Sequence, residues 1–339
     1  MPDAPRQRRA RRRQRRSIRG AEIAVVATAA LVVAVVFGGI AADARAPSTA
    51  VRAATTEPSP AVTASQRASS TAGQAVDPSA FSATACMAFP PTVGSRHLTV
   101  FLDAGHGGID PGAVGITESG QRIDEADQTL PVEMDAMAIL RREGFEVVVS
   151  RTAATSVVRL TAGDVSDGEL TIQGSHDDVA ARDVCANQSH ADILIGIYFD
   201  AGSSSDNAGS VTGYDAVRPF GADNLKLATL VQADVLAAMN TQGLAIPDEE
   251  VLQDGDLGSA ITSRAASYGH LLLLGPAEAD YFLTPSQMPG ALIEPLFITD
   301  PFEGSIAASH TGQNMIAAGL AQAVQQYFSP IPTATSTTR

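Results

Sequence analysis

One histidine in this chain sits where a side chain can do chemistry. The run from Val100 to Gly115, VFLDAGHGGIDPGAVG, carries an apolar strand into a turn that holds His106 among five glycines, Gly105, Gly107, Gly108, Gly112 and Gly115. Glycine takes backbone conformations closed to residues with a Cβ. The turn can therefore present the imidazole in the open at a strand end, which is where open α/β sheets bind ligands. A second reactive candidate lies far along the chain. Glu294 stands inside the apolar run ALIEPLFI, where a carboxylate is costly unless it is paired or put to use. Glu125, in IDEADQTL, stands just ahead of a helix pattern, a place where the helix dipole favours an acid in any case. Asp103 is either a strand-end turn residue or a group that orients His106.

The Gly-rich segment resembles the first motif of the zinc-dependent N-acetylmuramoyl-L-alanine amidases, which cut bacterial peptidoglycan. The resemblance implies that His106 is the first zinc ligand. It extends to Glu125, which stands where the family has its second ligand in an E-x-x-x-N-L pattern, here with Thr129 before Leu130. It extends again to MPGALIEPLFITDPFE, where Pro289, Ala291, Leu292, Glu294, Phe297, Pro301 and Glu303 match and Leu296 replaces a glycine. By the same resemblance Glu294 is the general base and acid. A zinc with three protein ligands and an open position polarises a carbonyl and activates a water. A carboxylate beside that water moves the proton.

The third ligand departs from the family. Arg182, Ala186, Asn187, Ala191 and Asp192 match the family's passage from helix to strand, and that register puts Tyr198 of GIYFD where S-I-H-A-N has its histidine. A phenol, with its pKa of about 10, is a poor zinc donor beside an imidazole. Three readings stay open. Asp200 can replace the histidine, since strand alternation puts it on the face of Tyr198 and zinc accepts carboxylate oxygen. His270 or His190 can reach in from elsewhere. Or the site holds zinc weakly or not at all, and the chain is a peptidoglycan-binding module or amidase regulator without turnover. A general zinc peptidase is a poorer reading, because no HExxH-type helix is present.

The elements that must position these residues follow from periodicity. Leu98 to Leu102, Phe145 to Val149, Ile193 to Phe199 and Ala291 to Ile298 read as buried strands. Helices are expected over Gln128 to Glu143, His176 to Gln188 and Asn224 to Thr241, the last with Asp223 as N-cap, and around Met315 to Tyr327. Strands alternating with helices predict an α/β fold, a single domain with a mostly parallel sheet flanked by helices on both faces. It spans residues 97–328. Two loops, 152–174 and 252–289, are long enough to be lids or insertions.

The chain of 339 residues carries a formal net charge of −14. Residues 1–22 form an Arg-rich segment; its first 20 hold nine arginines and one aspartate, so that −22 falls on the rest. An acidic body repels nucleic acid, which is not expected as a partner. Ile23 to Ala42 contains no charge and is long enough to span a bilayer, so a transmembrane helix is expected ahead of the domain. Arginines before it predict a single-pass cell-membrane protein with its domain on the extracytoplasmic, cell-wall side. A cleaved signal sequence is the alternative, and exports the same domain. Residues 43–96 read as an Ala/Ser/Thr/Pro-rich flexible linker and 329–339 as a disordered tail. Export permits a disulfide between Cys86 and Cys185, with two free thiols as the alternative.

Overall fold

Apolar runs without a polar face make the centre of the sheet, as strands buried on both sides require. The computed structural model describes residues 73–257 and 262–329, all within one compact unit, Thr63–Arg339. The Arg-rich segment, the apolar span Ile23 to Ala42, the first part of the linker and the tail after Ser329 lie outside the described residues. Among the described residues no helix is long and apolar enough to cross a membrane.

Twelve strands are described: β1 (Gln74–Ala75), β2 (Ala85–Phe89), β3 (Thr99–Ala104), β4 (Val114–Ile116), β5 (Arg122–Asp124), β6 (Glu146–Arg151), β7 (Val165–Ser166), β8 (Glu169–Leu170), β9 (Ile193–Ile197), β10 (Ser210–Tyr214), β11 (Asp248–Gln253) and β12 (Gly290–Glu294). The helices are α1 (Glu125–Arg142), α2 (Ile172–Gln188), α3 (Gly221–Asn240), α4 (Ser263–Tyr268), α5 (Pro301–Ala307) and α6 (His310–Phe328). Eight strands form one sheet in the order β1-β2-β6-β3-β9-β12-β10-β11. The four strands expected from sequence, β6, β3, β9 and β12, lie side by side and parallel. β2 and β10 pair antiparallel to their outer edges. β11 then runs parallel to β10. The pairs β4–β5 and β7–β8 form two small hairpins.

Leu102, Ile195 and Ile293 point to one face, where they pack with residues of α1, α3 and α6 such as Leu140, Val231 and Leu320. Phe101, Leu194 and Leu292 point to the other, against Ala181 and Cys185 of α2 and Leu273 and Leu274 of the 252–289 excursion. Helices thus cover both faces, as expected.

Four sequence expectations need correction. The linker ends earlier than residue 96, because β1 and β2 join the sheet and Phe81, Cys86 and Phe89 are buried. Their backbone and apolar side chains find partners only in the assembled edge, which local composition does not reveal. The first helix, expected from about Gln128 with Pro131 placing its N-terminus just after Glu125, starts at Glu125, since Glu125 N and Ala126 N donate to Ala113 O and Pro111 O of the preceding loop. Pro131 therefore falls in its second turn. The N-cap of α3 is Phe220, with Asp223 in the first turn. Finally, neither long loop is structureless, as one holds the β7–β8 hairpin and the other α4.

Cys86 and Cys185 form a disulfide that ties β2 to α2 across 99 residues of sequence. Both are fully buried. Closing a loop of that length stabilises a domain by about 2–5 kcal/mol. A Cys86→Ala/Cys185→Ala chain should lose stability in that range in a denaturant titration under oxidising conditions. An unchanged midpoint would contradict a structural role for the bond.

Candidate functional site

The C-terminal ends of β3, β9 and β12 open at one edge of the sheet, and the Gly-rich turn leaves β3 there. His106 takes a left-handed conformation, φ 59°, which turns its ring back over the loop. Its Nδ1 lies 2.8 Å from Asp110 Oδ2, and its Nε2 lies 3.2 Å from Glu125 Oε2. Glu125 is held on both oxygens: Oε2 accepts from Ala113 N at 2.8 Å and Oε1 from Phe199 N at 2.8 Å. Gly112, at φ 67°, is required beside them, because a Cβ there would stand 2.6 Å from His106 Cδ2 and 2.7 Å from Glu125 Oε2. His106 and Glu125, paired from sequence as two ligands, are thus brought together.

Asp103 does not orient His106. It is fully buried, and strand alternation turns it toward α2, where Oδ1 accepts from Arg182 Nη1 and Oδ2 from the Tyr198 hydroxyl at 3.1 Å. The orienting carboxylate is Asp110, four residues after His106, which sequence reasoning missed; its place in the same Gly-rich turn was the available signal. Arg182 itself reaches Ala104 O at 2.8 Å, His106 O at 2.9 Å and Asp178 Oδ2 at 2.8 Å. Tyr198 stands between the two groups, its ring edge-on to His106 at 5.4 Å between centroids.

Glu294 ends β12, half-buried, opposite Val211 of β10. It comes out at the same sheet edge as His106, two strand spacings from β3, or roughly 10 Å between backbones. Asp200 lies past the end of β9, bridged to Phe297, with its Oδ1 accepting from Ala201 N at 2.7 Å. It lies close enough to Glu303 for its charge to add to the burial that pushes that carboxyl up to about 7. Among the described residues the only three His, Cys, Asp or Glu side chains with ligand atoms within 4.8 Å of one another are Asp215, Asp254 and His270, so Asp200 does not join His106 and Glu125 at that separation. His190 and His270 do not reach in. His190 sits in the turn that enters β9, and Asp215, which lies against His270, follows β10, which is antiparallel to β12; both therefore lie toward the opposite sheet edge.

The sequence profile of the N-acetylmuramoyl-L-alanine amidases matches residues 100–326. The chain belongs to this amidase family. It is 25% identical over 231 residues to the germination-specific N-acetylmuramoyl-L-alanine amidase of Bacillus subtilis, covering 68% of this chain and 79% of that one. It is 27% identical over 238 residues to N-acetylmuramoyl-L-alanine amidase AmiA of Salmonella typhimurium, covering 69% and 77%. The CwlD amidase of Clostridioides difficile, solved in complex with the GerS lipoprotein, shares the fold with a TM-score of 0.51 at 22% identity, over 68% of this chain and 98% of that one.

For an amidase of the zinc-dependent kind, this site offers two fitting donors. His106 Nε2 and Glu125 Oε2 are atoms zinc accepts, and they converge. Tyr198 is not a third. Burial, and then the charge of Asp103, push its phenol well above the usual value, and its proton is committed to Asp103. Catalytic zinc sites have three protein ligands.

The same geometry makes the metal-free amidase pH-sensitive. Burial opposes charge on His106, but the Glu125 charge and the Asp110 hydrogen bond outweigh it and raise the imidazole to about 10. Unfolded, it titrates at about 6.5. Its ion pairing therefore stabilises the metal-free fold in full below that pH and is lost as the pH climbs toward 10. NMR titration of the chelator-treated protein should find the His106 ring protonated at pH 8, and His106→Gln should remove its share of the alkaline stability loss. A ring titrating near 6.5 would contradict the pairing.

Proposed function

We propose that the chain is a cell-wall hydrolase that cuts the amide between N-acetylmuramic acid and the L-alanine of the stem peptide in peptidoglycan. The observation that carries this reading is the convergence of His106 Nε2 and Glu125 Oε2 at the sheet edge where Glu294 emerges. His106 and Glu125 would hold the zinc ion, which when bound polarises the scissile carbonyl and activates a water. The chain supplies the rest. Asp110 holds the His106 ring by Nδ1 and leaves Nε2 facing Glu125. The backbone N–H groups of Ala113 and Phe199 fix the Glu125 carboxylate. Glu294 accepts the proton of the attacking water and returns it to the departing L-alanine amine.

The domain acts outside the cytoplasm in this proposal, anchored through Ile23 to Ala42. The Cys86–Cys185 disulfide supports export, because such bonds persist in oxidising compartments. Tyr198, tied to Asp103, favours a second reading: a module that binds peptidoglycan or regulates an amidase without turnover.

Release of stem peptide from purified peptidoglycan by the full chain, with added zinc, separates the two. The hydrolase should release it, and Glu294→Gln should slow release by about 10²–10⁴-fold, the usual worth of a positioned proton carrier. Tyr198→His should raise both zinc content and rate. No release by either the natural chain or Tyr198→His would sink the hydrolase reading and leave the binding one.

A further inference from the structure

A second convergence of metal-binding side chains lies at the opposite edge of the sheet. β10 runs antiparallel to β12, and Gly213 pairs with Leu292, so Asp215 emerges beside the start of β12. A strand of five residues separates that edge from Glu294 by roughly 13 Å. β11 runs parallel to β10 and delivers Asp254 to the same edge. His270 follows α4 and completes the group, with ligand atoms of all three residues within 4.8 Å of one another.

Each carboxylate has one oxygen fixed by backbone and the other turned toward His270. Asp215 is fully buried. Its Oδ1 accepts from Val217 N at 2.7 Å and Arg218 N at 2.9 Å. Its Oδ2 accepts no hydrogen bond and lies 2.8 Å from His270 Nδ1. Asp254 Oδ2 accepts from Leu271 N at 2.9 Å, while Oδ1 lies 3.4 Å from the same imidazole nitrogen. The guanidinium of the neighbouring Arg218 donates to the carbonyls of Gly275 and Ser286 rather than to either carboxylate. A buried carboxylate oxygen without a hydrogen bond is expensive, and here it faces a nitrogen that is itself a metal donor.

We propose that Asp215, Asp254 and His270 bind a divalent cation of the zinc class, at a site separate from His106 and independent of the hydrolase reading. Two carboxylates and a neutral imidazole balance a divalent charge, and zinc accepts all three donors. Calcium and magnesium prefer oxygen alone. His270, 23% exposed, leaves a solvent side for the ion and for a water as fourth donor. The ion would clamp the ends of β10 and β11 to the 252–289 excursion, whose Leu273, Leu274 and Met288 cover the α2 face of the sheet.

The test uses the full chain carrying His106→Ala, which removes the other histidine donor, stripped with a chelator and titrated with zinc sulfate. One zinc per chain should bind, and zinc at 100 times its dissociation constant should raise the melting temperature by roughly 5–10 °C. Adding His270→Gln, or Asp254→Asn with its oxygen still available to Leu271 N, should weaken that zinc by more than about 100-fold, beyond the effect of losing an outer hydrogen-bond partner. The two variants check each other if one fails to fold by circular dichroism. No zinc bound by the His106→Ala chain, or zinc bound equally after both further substitutions, would overturn the proposal.

Discussion

The Arg182 guanidinium is the fixed point on which the site depends. Fully buried on α2, it joins Asp103 at the end of β3, Asp178 on its own helix, and the carbonyl oxygens of Ala104 and His106. A buried charge of this kind is tolerated only when pairing and hydrogen bonds replace its lost water. Removing one partner of such a group typically costs about 3–5 kcal/mol, so the network resists rearrangement. Because it grips the backbone on both sides of Gly105, it sets where the His106 loop leaves the sheet. The left-handed backbone at His106 and the space at Gly112 then bring the ring against Glu125.

The same network accounts for Tyr198. The second oxygen of Asp103 takes the tyrosine hydroxyl, so Tyr198, which the sequence resemblance sets against the family's histidine, belongs to the buried ion network. Gly105 makes room for it, since a Cβ there would stand 2.4 Å from the tyrosine ring. The chain therefore keeps the amidase fold and the convergence of His106 with Glu125, while Tyr198 serves packing and hydrogen bonding. Glu294 is retained at the same sheet edge, on a strand whose register with β9 is fixed from Gly290 to Ile293.

Much of this was legible in the sequence. The four central strands are continuous apolar runs, and their alternation with helices pointed to a parallel sheet, though not to its order, in which β3 lies between β6 and β9. His106 and Glu125 were paired through the family resemblance, since by itself Glu125 reads as an ordinary helix-start carboxylate. The outer strands were not legible. β1 lies in a stretch that looks like tether by composition, β2 is a short apolar run, ACMAF, and β10 and β11, SVTGY and DEEVLQ, lack an apolar run long enough to stand out. Missing β10 hid its antiparallel direction, and that direction is what carries Asp215, and His270 with it, to the edge away from His106. The role given to Asp103 failed for a similar reason. Alternation aims it at α2, and only the backbone of the turn reveals that Asp110 reaches the ring.

With Tyr198 held on Asp103, His106 and Glu125 are the pair of metal-binding side chains that converge at the Gly-rich turn. A crystal structure of the zinc-soaked protein, with anomalous diffraction at the zinc edge, tests it most directly. The Tyr198 hydroxyl should still be bonded to Asp103, with His106 and Glu125 as the only protein donors to metal in the Gly-rich turn. A Tyr198 oxygen released from Asp103 and bound to the metal would contradict it.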